Sequence, residues 1–149
     1  MRVLLAALVV VVAACAPAAP AEDTARGDAL VAAVNVAEPG STVDLRSVVG
    51  SDWDRVVFLG PYTYNDRAKE ALGFDFDIEA VSPWTNTEGG MLVVLASGSK
   101  VVAWFAVPSQ QVGLHCLDQE SIAAADTVLT VIEQQGGFRS LTDPDLPWC

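Results

Sequence analysis

Residues 91–107 constrain the fold more than any other part of this chain. Met91-Leu92-Val93-Val94-Leu95-Ala96 and Val101-Val102-Ala103-Trp104-Phe105-Ala106-Val107 are two unbroken apolar runs joined by Ser97-Gly98-Ser99-Lys100. Short runs rich in β-branched and aromatic residues, separated by turn formers, read as a β-hairpin. Neither run alternates apolar with polar residues. Both strands therefore need cover on each face, which predicts central positions in a sheet. Pro108 ends the second run, because proline cannot donate to a ladder.

The flanking segments supply the other expected elements. Trp53 to Leu59 reads as a strand broken by Gly60-Pro61. Thr63 with Asp66 three residues on is a capping-box-like pair. Tyr64, Ala68, Ala71 and Leu72 share one face of a helix over Thr63–Leu72, closed by Gly73. Phe74, Phe76 and Ile78 alternate with Asp75, Asp77 and Glu79, the pattern of a half-buried strand or extended segment. Ser82-Pro83 and Thr85 to Gly90 form a loop around Trp84. Toward the N-terminus, Asp28–Val36 and Thr42–Val49 are short helix candidates, stopped by Glu38-Pro39-Gly40-Ser41 and by Gly50. Ile122–Ile132 fits helix or strand. Its Thr-Val-Leu-Thr-Val-Ile run, with Gly136-Gly137 and Phe138 to Leu141 beyond, favours a strand and a returning partner. The expected fold is α+β, one domain, with an antiparallel sheet of about four to five strands and one to three short helices.

The first residues follow a different pattern. Met1-Arg2 is a short positive region, Val3 to Val12 is apolar throughout, and Val12-Ala13-Ala14 precedes Cys15. This resembles the bacterial lipoprotein signal, whose lipobox cysteine becomes the lipidated N-terminus. The resemblance implies a signal peptide over 1–14, palmitate-type acyl chains on Cys15, and a protein held outside the cytoplasm on a bacterial membrane. One acyl chain binds only marginally and two or more bind firmly. Ala16 implies outer-membrane sorting in a bacterium with two membranes. The run is too short for a transmembrane helix of about 20 residues. A secretory signal cleaved at Ala14-Cys15-Ala16 is the other reading. Residues 15–27, rich in Ala and Pro, read as the lipidated cysteine and a flexible tether, and 28–149 as the globular domain.

Cleavage before Cys15 leaves 135 of the 149 residues, and loss of Arg2 takes the formal charge from −11 to −12. An acidic surface repels nucleic acid phosphates and anionic headgroups. No nucleic-acid partner is expected, and the domain should stand off the bilayer apart from its lipid. With Cys15 lipidated, Cys116 and Cys149 remain as the expected disulfide, in a compartment that permits one. A metal site of His115, Cys116 and Cys149 is the competing reading. The adjacent His115-Cys116 lacks chelating spacing and no fourth ligand is evident.

Trp53-Asp54-Arg55-Val56, Pro61-Tyr62-Thr63 and Leu72-Gly73, ahead of the Trp84 loop and the hairpin, resemble small bacterial envelope lipoproteins with a WD-x-V…PYT segment before a helix ending in LG. That group implies no activity to carry over. The same order is loosely similar to outer-membrane assembly lipoproteins and β-lactamase-inhibitor-like domains. Their second helix-plus-LG unit and Gly-Met helix start are missing here. The resemblance covers the middle third of the chain.

No complete catalytic or cofactor motif is present. Ser97-Gly98-Ser99-Lys100 matches S-x-x-K but lacks the companion elements of penicillin-interacting enzymes. Asp75, Asp77 and Glu79 suggest calcium or paired-carboxylate chemistry, yet Ala80 and Asn86 stand where a calcium loop needs Gly and Glu. A solvated strand face is the simpler reading. His115 is the only histidine, so any triad must use it, with Ser109, Ser121 or Asp118 nearby in sequence. Arg26-Gly27-Asp28 matches an integrin-binding tripeptide by chance within the tether. Among Trp53, Tyr62, Tyr64, Trp84, Trp104 and Trp148, most should be core. Trp84, in a polar loop, with Tyr62 and Tyr64, is the candidate binding surface.

These features favour a non-catalytic, lipid-anchored domain that binds an envelope protein or component, with no cofactor and no metal. A carrier of an apolar ligand comes second, and a small hydrolase last.

Overall fold

The computed structural model describes residues 19–146. Strands β3 (Gly90–Ser97) and β4 (Lys100–Pro108) form the expected hairpin, antiparallel from Gly90 opposite Pro108 to Ser97 opposite Lys100, with an irregularity between Leu95 and Ala96. Strand β2 (Arg55–Leu59) pairs with the other side of β3, and β5 (Ser121–Ala123) pairs with β2. The order is β4-β3-β2-β5. So β3 is central, as expected, but β4 is not. It is an edge strand whose faces are nevertheless covered.

The apolar runs need cover because successive side chains point to opposite faces. Met91, Val93 and Leu95 join Val56, Phe58, Ala103 and Phe105 in one core. That core is closed by helix α1 (Thr24–Val36), helix α2 (Leu45–Val49) and a second sheet. The second sheet comprises β1 (Thr42–Asp44), β6 (Val128–Gln134) and β7 (Phe138–Thr142), in the order β1-β6-β7. On the opposite face, Leu92, Val94 and Ala96 pack with Ala68 and Leu72 of helix α3 (Asn65–Leu72) and Ile78 of helix α4 (Ile78–Val81). The molecule is a single α+β domain with two antiparallel sheets. The second sheet settles the open segment: residues 128–134 and 138–142 are strands.

The free edge of β4 is occupied by the segment expected to be tether. Asp23 N–H donates to Trp104 O at 2.9 Å, Trp104 Nε1 donates to Pro20 O at 2.7 Å, and Ala106 N–H donates to Glu22 Oε1 at 3.1 Å. An uncovered edge invites pairing with another chain; here residues 20–23 block it. Helix α1 then begins at Thr24, four residues before the expected start, because the Asp23 carboxylate accepts from Arg26 N–H as its N-cap.

Three local expectations change. Thr42–Val49 divides into β1 and a single helical turn, because Thr42–Asp44 pairs with Val128–Thr130 of β6. Helix α3 has Tyr64, not Thr63, at its N-cap, and no side chain of its own caps it. Glu79 Oε2 instead accepts from Asn65 N–H, and Asn65 Oδ1 accepts from Glu79 N–H. Phe74 to Ile78 keeps its in-and-out burial but joins no ladder. Asp77 caps α4 through Ala80 N–H, and Ile78 opens that helix.

Candidate functional site

The site lies where β2 ends. Gly60 N–H donates to Asp118 Oδ1 at 2.7 Å, and Gln119 N–H donates to Phe58 O at 2.7 Å. The chain then turns at Pro61-Tyr62. Tyr62 has φ of 61° and Gln119 has φ of 63°; they are the non-glycine residues in left-handed conformations among those described. Pro61-Tyr62 places Tyr62 at the turn position that ordinarily takes glycine. Left-handed backbone costs a side-chain-bearing residue roughly 1–2 kcal/mol. Both strained residues therefore sit at the same end of the four-stranded sheet.

Tyr62 stands on the rim of a cleft of about 440 Å³. Its floor is apolar, formed by Met91, Val112, Leu114 and Phe138, and its polar rim is Tyr62, Glu88, Ser109 and His115. A volume in this range suits a small ligand or a few side chains of a partner. Two glycine contacts shape it. A Cβ on Gly89 would fall inside the Trp84 indole, and one on Gly113 would fall on Ser140 Oγ. The backbone bounding the cleft thus lies directly against Trp84 on one side and β7 on the other.

Three residues distant in pattern are brought together here. Tyr62 N–H donates to Trp84 O at 3.2 Å, and Tyr64 OH donates to Asn86 Oδ1 at 3.3 Å. The Tyr62–Tyr64 turn is thereby stitched to the Trp84 loop. Their roles differ. Tyr62 is 51% exposed and Tyr64 45%, whereas Trp84 is half-buried behind Gly89 and Gly90. Trp84 supports the cleft wall, and the tyrosines present surface.

His115 lies in a short 3₁₀ turn on the opposite rim. Gln134 Nε2 is 3.2 Å from His115 Nε2, and Cys116 Sγ is 3.6 Å from it. Ser109 shares the cleft, but among the described residues the His115 ring makes no hydrogen bond to Ser109, Ser121 or Asp118; Asp118 meets His115 only through its backbone N–H, which donates to His115 O at 3.3 Å. Asp118 is committed to Gly60 N–H. Cys116 is disulfide-bonded. Cys15, Cys149 and Trp148 lie outside the described residues, as does the signal segment.

The other sequence candidates serve the fold. Ser97 and Lys100 are paired across the hairpin turn. Asp75 pairs with Lys69 at 2.9 Å, Asp77 Oδ1 accepts from Asn65 Nδ2, and Glu79 caps α3. No group of three metal-ligating side chains occurs among the described residues. Gly27 is buried against Phe105 and Ala106, and Arg26 is held by Asp23 and Asp52. Trp53 and Trp104 are core. Glu88 and Phe138 were not visible as site residues, because nothing local marks them; the bond from Ser109 N–H to Gly89 O and the pairing of Gly113 with Ser140 of β7 bring them to one cleft. No family model, curated protein or solved structure matches the chain.

Proposed function

We propose that this chain is a lipid-anchored, extracytoplasmic binding domain of a bacterial envelope, with the Tyr62–His115 cleft as its recognition surface. The single observation that supports this most is Tyr62 itself. A tyrosine half exposed to water occupies a left-handed position where glycine would cost nothing. Strain of this kind collects where a side chain must be held for use, and tyrosine is a favoured anchor at binding surfaces. The cleft offers it an apolar floor beside a polar rim, the composition of small recognition sites.

The apolar floor favours a second reading, a carrier of an apolar ligand. The space between the four-stranded sheet and its helices is filled by fully buried Leu30, Phe58, Leu72, Leu92 and Phe105. A carried ligand would therefore occupy the surface cleft and be limited to a small apolar group.

The test is photocrosslinking in intact cells from a benzoylphenylalanine at position 62, compared with one at Glu70 on the exposed side of α3. A discrete adduct from position 62 alone is expected. Equal capture from both positions, or none from position 62, would remove the cleft from the account.

A further inference from the structure

The residues that block the β4 edge also fix where the lipid anchor leaves the domain. Ala19 and Pro20 line a hollow with Phe74, Asp75, Ser99, Lys100 and Val101, at the hairpin-turn end of β4. The recognition cleft includes Gly90, Met91 and Ser109, at the opposite end of the same hairpin, since Gly90 is opposite Pro108. We propose that the lipidated protein, instead of standing off the bilayer on its lipid alone as its net charge suggests, sits with its Ser97–Lys100 turn end against the bilayer surface and its cleft directed away from the membrane. This rests on the lipidation of Cys15.

Lengths decide against the inverted arrangement. Cys15 to Ala19 is four residue steps, so even a fully extended chain spans at most about 14 Å. Lys100 to Pro108 is eight steps of strand, about 26 Å. With the cleft end on the bilayer, Ala19 would stand about 26 Å above it, beyond the reach of the anchor. The strap from Pro20 to Asp23 adds no slack, because it is bonded along Trp104 and Ala106.

Charge selects the turn end over a sideways pose. Both lysines of the chain, Lys69 and Lys100, are exposed at this end. Arg55 joins them there, donating to Leu72 O and Gly98 O with its guanidinium over the Phe74 ring. Asp75 and Asp54 are the carboxylates bonded in this cluster, to Lys69 and to Gly98 N–H. Lys100 forms no ion pair among the described residues. The strap side carries Glu22, Asp23 and Asp52, and the cleft rim carries Glu88. A chain of strongly negative net charge thus presents Lys100 without an ion pair, with Lys69 paired to Asp75 and a half-buried Arg55, beside its anchor point. Such groups are drawn to anionic headgroups within a Debye length of the surface.

The test uses the full lipidated chain in nanodiscs of phosphatidylethanolamine and phosphatidylglycerol that contain a gadolinium-chelate headgroup lipid. Amide signals of Gly73, Gly98 and Lys100 should broaden severalfold more than those of Tyr62, Glu88 and His115. A flexible Gly/Ser insertion between Ala16 and Ala19 should reduce that contrast. Uniform broadening, stronger broadening at the cleft, or a contrast unchanged by the insertion would overturn the orientation while leaving lipidation intact. Protein that carries no acyl mass and does not enter the discs would overturn the lipidation reading and the orientation with it.

Discussion

Trp104 Nε1 donates a 2.7 Å hydrogen bond to the carbonyl of Pro20, 84 positions earlier in the chain. The bond locks the segment after the proposed anchor onto the outermost strand of the sheet. Trp104→Phe keeps an aromatic ring on the sheet face but removes the donor and part of the buried indole volume, so a packing loss adds to the loss of the bond. A lost hydrogen bond of this kind should cost about 0.5–1.5 kcal/mol. Amide exchange at Asp23 and Ala106 should accelerate, while exchange in β3 changes only with global stability. Chemical denaturation and hydrogen exchange on the same variant check both. Unchanged protection at Asp23 would show that the strap does not depend on Trp104.

Tyr62 gives a prediction whose sign is unusual for a truncation. Glycine takes φ near 61° without penalty, whereas alanine retains the Cβ clash. Tyr62→Gly should therefore be more stable than Tyr62→Ala by about 1 kcal/mol, although both remove the same ring. Both should weaken capture by a crosslinker placed instead at Glu88 on the cleft rim. A glycine variant less stable than the alanine variant would mean that the turn relaxes out of the left-handed conformation.

The cleft wall should be sensitive to one added methyl group. At Gly89, a Cβ would fall inside the Trp84 indole. Gly89→Ala should destabilise by about 1–3 kcal/mol through forced repacking and change the near-ultraviolet signal of tryptophan. Gly40→Ala is the comparison, because a Cβ at Gly40 meets no neighbouring atom, though its φ of 84° is strained. It should cost stability without perturbing the tryptophan signal.

Arg26 couples α1 to the loop before β2. Its bidentate hydrogen bonds to Asp52 hold that carboxyl below its ordinary value, and the Asp52 and Asp23 carboxylates raise the Arg26 guanidinium. A carboxyl depressed on folding stabilises the native state above its unfolded pKa, and that contribution fades as pH falls through its folded pKa. Asp52 is half exposed, so the pair is worth less than about 1 kcal/mol. Asp52→Asn should thus cost little at neutral pH. Its stability gap from wild type should narrow in acid, below the ordinary aspartate range. A gap constant across that range would contradict the pairing.

The sheet was legible in the sequence because burial on two faces leaves an unbroken apolar run, and Met91–Ala96 and Val101–Val107 carry that mark. The edge position of β4 was not legible. Its cover comes from Pro20, Glu22 and Asp23, polar or proline-rich residues that read as tether because their bonds are to backbone and a tryptophan. The pairing of β1 with β6 is likewise set by tertiary contact, since three residues carry no periodicity of their own. For the site, Gly60-Pro61 announced a turn, and Tyr62, Tyr64 and Trp84 were singled out by composition. Which of them is exposed was decided by Gly89 and Gly90, whose missing side chains let Trp84 lie flat behind the cleft. His115 and Tyr62 face one cleft only because Asp118, Gln119 and Glu120 bond back to the end of β2 while Gly113 pairs with Ser140 of β7.

The central claim is that this domain works from a membrane through Cys15. The most direct measurement is the mass of the N-terminal peptide of the mature protein recovered from bacterial membranes, alongside palmitate labelling of wild type and Cys15→Ala. The account predicts that the mature chain begins at Cys15, that this residue carries the added mass of a diacylglyceryl group, and that the alanine variant takes up no label. A mature chain beginning elsewhere, with Cys15 removed or left as an unmodified thiol and equal labelling of both proteins, would contradict it.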